Sequence, residues 1–251
     1  MTICGLNISC SVLISAICFQ LFMGCTTHTK ILFQDDFESA IVTKKPQKPW
    51  VISGNGSVVI DNSNSFSGEN SAYFISGEGF VNRAFLSLTQ IFPIKNNSFY
   101  GSMQMFVKKA SPDGVHWTML QGSGNVNNEY SAEIRYGGQH QQQLMANYDT
   151  VGVESDCWQH SSFKIPEKRW FKVCWYFNGQ ENTMKLWIDN QLISALTVKG
   201  KGEGCVKNGT QEQWIFPAFD KLSIGWVDYQ KEGGRRHVWI DDVVIATQYP
   251  N

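Results

Sequence analysis

With 251 residues, of which 42% are hydrophobic and 17% charged, the chain is long enough and apolar enough to bury a sizeable core, which excludes a disordered or low-complexity protein. Its formal net charge is −1 and its only tight basic groups are Lys44-Lys45 and Arg235-Arg236, so electrostatics give no reason to expect a nucleic-acid partner. Nine Trp and eight Tyr supply many amphipathic rings; most are expected in the core, and some are of the kind that stacks on sugars.

Residues 1 to 25 carry no charged side chain, and the apolar run Ser11 to Met23 is too short for a transmembrane helix, so this stretch reads as a signal peptide. Leu21-Phe22-Met23-Gly24-Cys25 resembles a bacterial lipobox, in which Cys25 is lipidated and becomes the mature N-terminus; the alternative is an ordinary secretory signal cut near Cys25. Both make the chain an exported one. It is then an outer-membrane or cell-surface lipoprotein that touches the membrane only through its lipid, or else a periplasmic or secreted protein. Residues 26–30 form a short tether, and 31–251 are expected to be one domain and a monomer. Cys4, Cys10 and Cys18 leave with the signal. Of the remaining Cys157, Cys174 and Cys205, two can form a disulfide in an exporting compartment, and spacing alone leaves the pairing open. There is no Cys-x-x-Cys or zinc-spaced His/Cys cluster.

Short β-rich segments then recur with turn signals between them. Ile31 to Glu38 opens as a strand with an acidic end, followed by Gly54 to Asp61, Ser71 to Ile75, Ala84 to Phe92 and Ser98 to Val107. Val115 to Gln121 and Glu129 to Tyr136 are expected to pair as a hairpin around Gly122-Ser123-Gly124-Asn125, with Leu144 to Tyr148 next. Trp170 to Phe177, the turn Asn178-Gly179, Met184 to Ile188 and Gln191 to Leu196 form a meander. A long loop from Lys199 to Ala218 is a candidate cleft rim, and Leu222 to Trp226 and Val238 to Ile245 close the chain. No segment has helical periodicity over three turns. The fold class is therefore all-β, a two-sheet sandwich or jelly roll.

The stretch from Ser131 to His140 concentrates the chemistry. In a strand Glu133 and Arg135 face one way while Ile134 and Tyr136 face the other, so one face is polar and the other is core. A guanidinium on a rigid strand beside an acid, followed by Gln139 and His140, suits a carboxylate or a hydroxyl-rich ligand.

Asp35-Asp36-Phe37-Glu38, Arg135-Tyr136-Gly137-Gly138, Asn147-Tyr148, Asp156-Cys157-Trp158, Gly225-Trp226, Tyr229-Gln230 and Trp239-Ile240-Asp241-Asp242-Val243 together resemble a family over about residues 31 to 247. It is the polysaccharide lyase-like jelly-roll family of the concanavalin A-like superfamily. That family is similar to the core domain of the fungal cellulose-induced protein and, more remotely, to glucuronan and alginate lyases. The resemblance implies a structural calcium ion between the first and last strands, with Glu38 and Asp242 as ligands, Asp36 and Asp241 as alternates, and carbonyls of Ser67 to Asn70 completing the shell. It also implies a polysaccharide partner, in particular a polyuronate, cleaved by β-elimination. Here a neutraliser of the carboxylate, a base for the C5 proton and an acid for the leaving oxygen are needed. Arg135 helped by Gln139 is the candidate neutraliser, His116 the base, and Tyr148 or Tyr229 the acid. Glu133, Trp117, Trp158, Trp187 and Trp226 are candidate substrate-binding residues. The alternative is a non-catalytic carbohydrate-binding surface lipoprotein with Trp117, Trp158, Trp187 and Trp226 as a stacking platform.

Overall fold

The computed structural model describes residues 30–250. The signal segment, Cys25 with its lipidation, and most of the tether lie outside the described residues. In chain order the strands are β1 (Ile31–Asp35), β2 (Val51–Ser53), β3 (Ser57–Asp61), β4 (Ser71–Ile75), β5 (Asn82–Leu88) and β6 (Ser98–Val107). They continue with β7 (Trp117–Val126), β8 (Tyr130–Gly138), β9 (Gln143–Val151), β10 (Asp156–Lys164), β11 (Trp170–Asn178) and β12 (Thr183–Ile188). β13 (Gln191–Leu192), β14 (Val198–Lys199), β15 (Gly204–Val206), β16 (Ala218–Asp228) and β17 (His237–Ala246) complete the set.

Two antiparallel sheets face each other as a jelly roll, the expected class. The first runs β13-β12-β11-β6-β17-β4-β3, with β1 added on β17 and β14 on β12; the second runs β15-β10-β9-β8-β7-β16-β5-β2. Side-chain alternation builds the core between them. From β6 it takes Phe99, Met103, Met105 and Val107, and from β8 Ala132, Ile134 and Tyr136, all buried.

Three sequence expectations are corrected. The β7–β8 hairpin turns at Asn127-Asn128, both in the left-handed region with φ of 50° and 60°, as a tight hairpin requires. Gly122 to Asn125 instead continue β7 as ladder residues, because glycine there relieves crowding: a Cβ on Gly124 would lie 1.9 Å from the Ala218 carbonyl oxygen. Strand β10 went unexpected, since Trp158, Gln159 and His160 interrupt its apolar pattern at the protein surface. Gln191 to Leu196 is not one strand: it pairs for two residues, then becomes a single 3-10 turn at Ser194–Leu196.

The disulfide left open by the sequence joins Cys157 on β10 to Cys205 on β15, and Cys174 is free and buried. Trp117 and Trp226 are fully buried and stacked on each other, with ring centroids 4.4 Å apart. They face the core, so neither belongs to a sugar-stacking platform. Trp187 lies on the outer face of the first sheet against Tyr249, 5.2 Å between ring centroids, beside a hollow of about 730 Å³ lined by Gln34, Gln104, Lys172 and Tyr249.

Candidate functional site

The period of two and the antiparallel register assemble a polar row on the outer face of the second sheet. Ser87, Ser223, Gln121, Arg135, Asn147 and Trp158 are successive cross-strand partners on β5, β16, β7, β8, β9 and β10. A neighbouring row holds Ser123, Glu133, Asp149 and Asp156. Residues scattered over nearly 140 positions thus meet on one face.

Arg135 is the hub and is only 7% exposed. Its Nε donates to Glu133 Oε2 at 3.1 Å, its Nη1 to Asn147 Oδ1 at 3.1 Å, and its Nη2 to Asp149 Oδ2 at 2.9 Å and also to Glu133. Burial by itself would lower its pKa, but Tyr229, Glu133 and Asp149 outweigh that and hold the guanidinium charged well above its ordinary range. Asn147 is locked in turn, donating to Asp156 Oδ1 at 2.6 Å and to the Cys157 carbonyl at 2.8 Å. The Cys157–Cys205 disulfide therefore braces the same corner. Asp149 is pushed up by burial, with Arg135 opposing and Asp156 and Glu133 adding to the rise.

Tyr229, just past β16, brings in the remaining chemistry. The Arg135 guanidinium stands 5.4 Å from the centre of its ring, and the His116 ring lies 4.9 Å from it, centre to centre. Its hydroxyl is 3.3 Å from Thr118 Oγ1. His116, immediately before β7, is fixed by its backbone: its N–H donates to Gln230 Oε1 and its carbonyl accepts from the Tyr229 N–H at 2.9 Å. Burial, then the positive charge of Arg135, then His160, lower its pKa to about 4, so the imidazole is neutral at physiological pH.

Of the sequence candidates, Arg135, Glu133, His116, Tyr229 and Trp158 share this face. Tyr148 does not: it sits opposite Ile134, one residue out of phase with Asn147, and is buried in the core against Trp214. Burial pushes its phenol well above the ordinary range, so it is no proton donor to a ligand. Gln139 is also removed from Arg135. It lies just past the end of β8, and its Nε2 donates to the Gly114 carbonyl at 3.3 Å. Gln121 is the residue the sequence reading missed. It is 3% exposed directly across from Arg135, and its Oε1 is buried with no hydrogen-bond partner in the protein. The signal available was its pairing position opposite Arg135, which a hairpin turn placed at Gly122 to Asn125 concealed.

The acids expected to hold calcium gather about the loop before β4. Glu38 accepts from the Glu69 and Asn70 N–H groups, at 3.0 and 2.8 Å, through Oε1. Asp241 accepts from Phe66 and Ser67 through Oδ2 and from Asp242 through Oδ1, while Asp242 accepts from Ser67 Oγ at 2.9 Å. Asp36 caps the same turn by accepting from the Glu38 N–H at 3.2 Å. Their oxygens suit a hard cation, and none of these acids forms an ion pair with a basic side chain among the described residues. The fit is in donor chemistry alone, since no three His, Cys, Asp or Glu side chains converge on one point among the described residues.

The fold is shared with solved structures. The cellulose induced protein Cip1 aligns with a TM-score of 0.66 at 21% identity, over 86% of this chain and 97% of that one. An endo-β-1,4-glucuronan lyase from the fungus Trichoderma reesei aligns at 0.55 and 11% identity, over 83% and 95%. A pseudo β-1,3-glucanase of Mycobacterium tuberculosis, an immunostimulatory antigen, aligns at 0.57 and 14%, over 87% and 99%. A search of curated proteins returns no match. A family model, the Cip1-like core domain of polysaccharide lyase-like proteins, matches residues 36–248 and so takes in both sheets and the Arg135 face, and the chain belongs to that family.

Proposed function

We propose that this chain is an exported polysaccharide lyase that cleaves a uronate-containing chain by β-elimination on the outer face of the second sheet. The observation that supports this most directly is Tyr229, whose ring contacts both the Arg135 guanidinium and the neutral His116 imidazole. In this reading Arg135 holds the uronate carboxylate and makes the C5 proton acidic. His116 takes that proton, and the Tyr229 hydroxyl protonates the departing glycosidic oxygen, so the C4–O bond breaks as the C4–C5 double bond forms. Because His116 is held down to about 4, it is competent as a base from mildly acidic pH upward; the acidic limb of kcat/KM is expected near pH 4, not near pH 6.5. A pH–rate profile checks this, and a limb near 6.5 would remove His116 from the base role.

Binding without cleavage is the second reading, and one observation favours it. The donors of Arg135 are committed to Glu133, Asn147 and Asp149, so a substrate carboxylate has to displace an acid before it can be neutralised. The deciding experiment follows the ultraviolet absorbance of unsaturated uronates while the purified protein is mixed with glucuronan, alginate and pectate. Arg135→Lys and His116→Ala serve as controls. A rise that either variant abolishes supports the lyase. No rise on any substrate, with glycan binding retained by calorimetry, leaves the binding protein.

Calcium at Glu38 and Asp242, with Asp36 and Asp241 as alternates, a lipid on Cys25 and a monomeric state complete the proposal. Bound calcium would supply a structural link between the turn after β1, the loop before β4 and β17, with no part in the chemistry. Saturating calcium is then expected to raise Tm by several degrees over the chelated protein, a shift corresponding to roughly 1 kcal/mol or more of ligand linkage. Equal melting with calcium and with chelator would remove the ion from the account.

A further inference from the structure

The segment that leads into β5 lies beside Tyr229, at one end of the Arg135 face. From β10, which carries Trp158, to β5 is five strand spacings, about 24 Å across the strands, and Phe80 stands seven residues before Ser87, the member of the Trp158 row on β5. Arg135 and Tyr229 lie between. The segment places Phe80 with 71% of its surface exposed and Val81 with 45%. A single exposed Phe needs no explanation by itself. Here, however, it adjoins a strained residue: Val81 has φ of 54°, a left-handed conformation that a β-branched side chain rarely adopts and that tends to mark ligand-gripping segments.

The segment is also deliberately anchored. Asn55 Nδ2 donates to the Glu78 carbonyl at 3.2 Å and Asn55 Oδ1 accepts from the Arg83 N–H at 2.9 Å. Arg235 pairs with Glu78 at 3.1 Å. The Val81 N–H points at the Tyr229 carbonyl, 3.5 Å away. Tyr229 is the residue that touches both Arg135 and His116, so this segment is fastened to the centre of the site while its apolar ring is held out in water.

Aromatic rings toward the two ends, with polar and guanidinium groups between them, suit one kind of ligand: a row of sugar rings lying obliquely across the strands, with C–H faces for the aromatics and hydroxyls for the polar side chains. We propose that Phe80 is a sugar-stacking residue that grips the polysaccharide at the Tyr229 end of the cleft. The assignment rests on the reading of this face as a glycan cleft.

Calorimetric titration of the mature protein with long oligosaccharides of glucuronan, alginate and cellulose tests it, using Phe80→Ala, Phe80→Tyr and Trp158→Ala. For the oligosaccharide that the wild type binds, Phe80→Ala is expected to raise Kd roughly tenfold, the scale of losing one buried aromatic face. Phe80→Tyr should stay close to wild type, and the thermal melts of both should match it because the side chain is exposed. Wild-type affinity in Phe80→Ala alongside weakened binding in Trp158→Ala overturns the assignment and leaves the cleft standing. Equal loss in Phe80→Ala and Phe80→Tyr also overturns it, since a ring that stacks would survive the added hydroxyl. Binding to none of the three oligosaccharides by the wild type takes down the cleft reading itself.

Discussion

On the lyase reading proposed above, replacing Tyr229 by phenylalanine is expected to lower turnover by roughly 100- to 10,000-fold, the usual contribution of a positioned general acid. The substitution removes only the hydroxyl. The ring that meets both the Arg135 guanidinium and the His116 imidazole remains, so the affinity for polysaccharide should change little. Among the described residues the hydroxyl hydrogen-bonds Thr118 Oγ1, near the start of β7, and a thermal melt of the variant checks that the fold is kept. Initial rates by absorbance and Kd by calorimetry, measured on the same preparation, separate the two quantities. A variant with wild-type turnover would show that the proton for the leaving oxygen comes from elsewhere. A parallel fall in rate and affinity would make Tyr229 a binding residue and favour recognition without elimination.

The second large effect lies in the core. Trp117→Ala is expected to destabilise the fold by about 3–5 kcal/mol, the range for emptying a buried aromatic site. Trp117 is fully buried, stacks on Trp226 at 4.4 Å and lies against Gly138, where a Cβ would come within 2.5 Å of its ring. Such a cavity cannot collapse, because the two rings fill one another's contact surface and the facing glycine has no side chain to move in. Denaturant unfolding of the variant measures the loss. Were Trp117 instead part of a sugar platform, the variant would keep its stability and lose polysaccharide affinity; that outcome would contradict the packing described here.

The two aromatic expectations show where reading a strand from its sequence stops. Trp117, Trp158 and Trp226 lie in segments rich in β-formers, and composition treats them alike. Trp158 shares a face with Arg135 while Trp117 and Trp226 point inward, because face depends on phase within a strand and on bulges in the ladder, such as the shift between Thr118 and Leu120. Tyr148 failed for the same reason. It is one residue from Asn147, which touches Arg135, and a one-residue step crosses the sheet.

What the sequence determined by itself was the class of fold and the hub of the candidate site. Alternation of apolar and polar residues at a period of two, broken by Gly, Asn and Asp turns, leaves a two-sheet sandwich as the way to bury so many β-branched and aromatic side chains. The same alternation within Glu133 to Tyr136 set Arg135 on the opposite face from Ile134 and Tyr136 before any neighbour was known. The tertiary structure alone decided who meets Arg135. Asn147, Asp149, Gln121 and Tyr229 reach it through cross-strand register, which depends on where each hairpin turns and on which strands become neighbours. The pairing of Cys157 with Cys205 and the bond of the Val81 N–H to the Tyr229 carbonyl are likewise contacts between distant segments, and no local pattern encodes them.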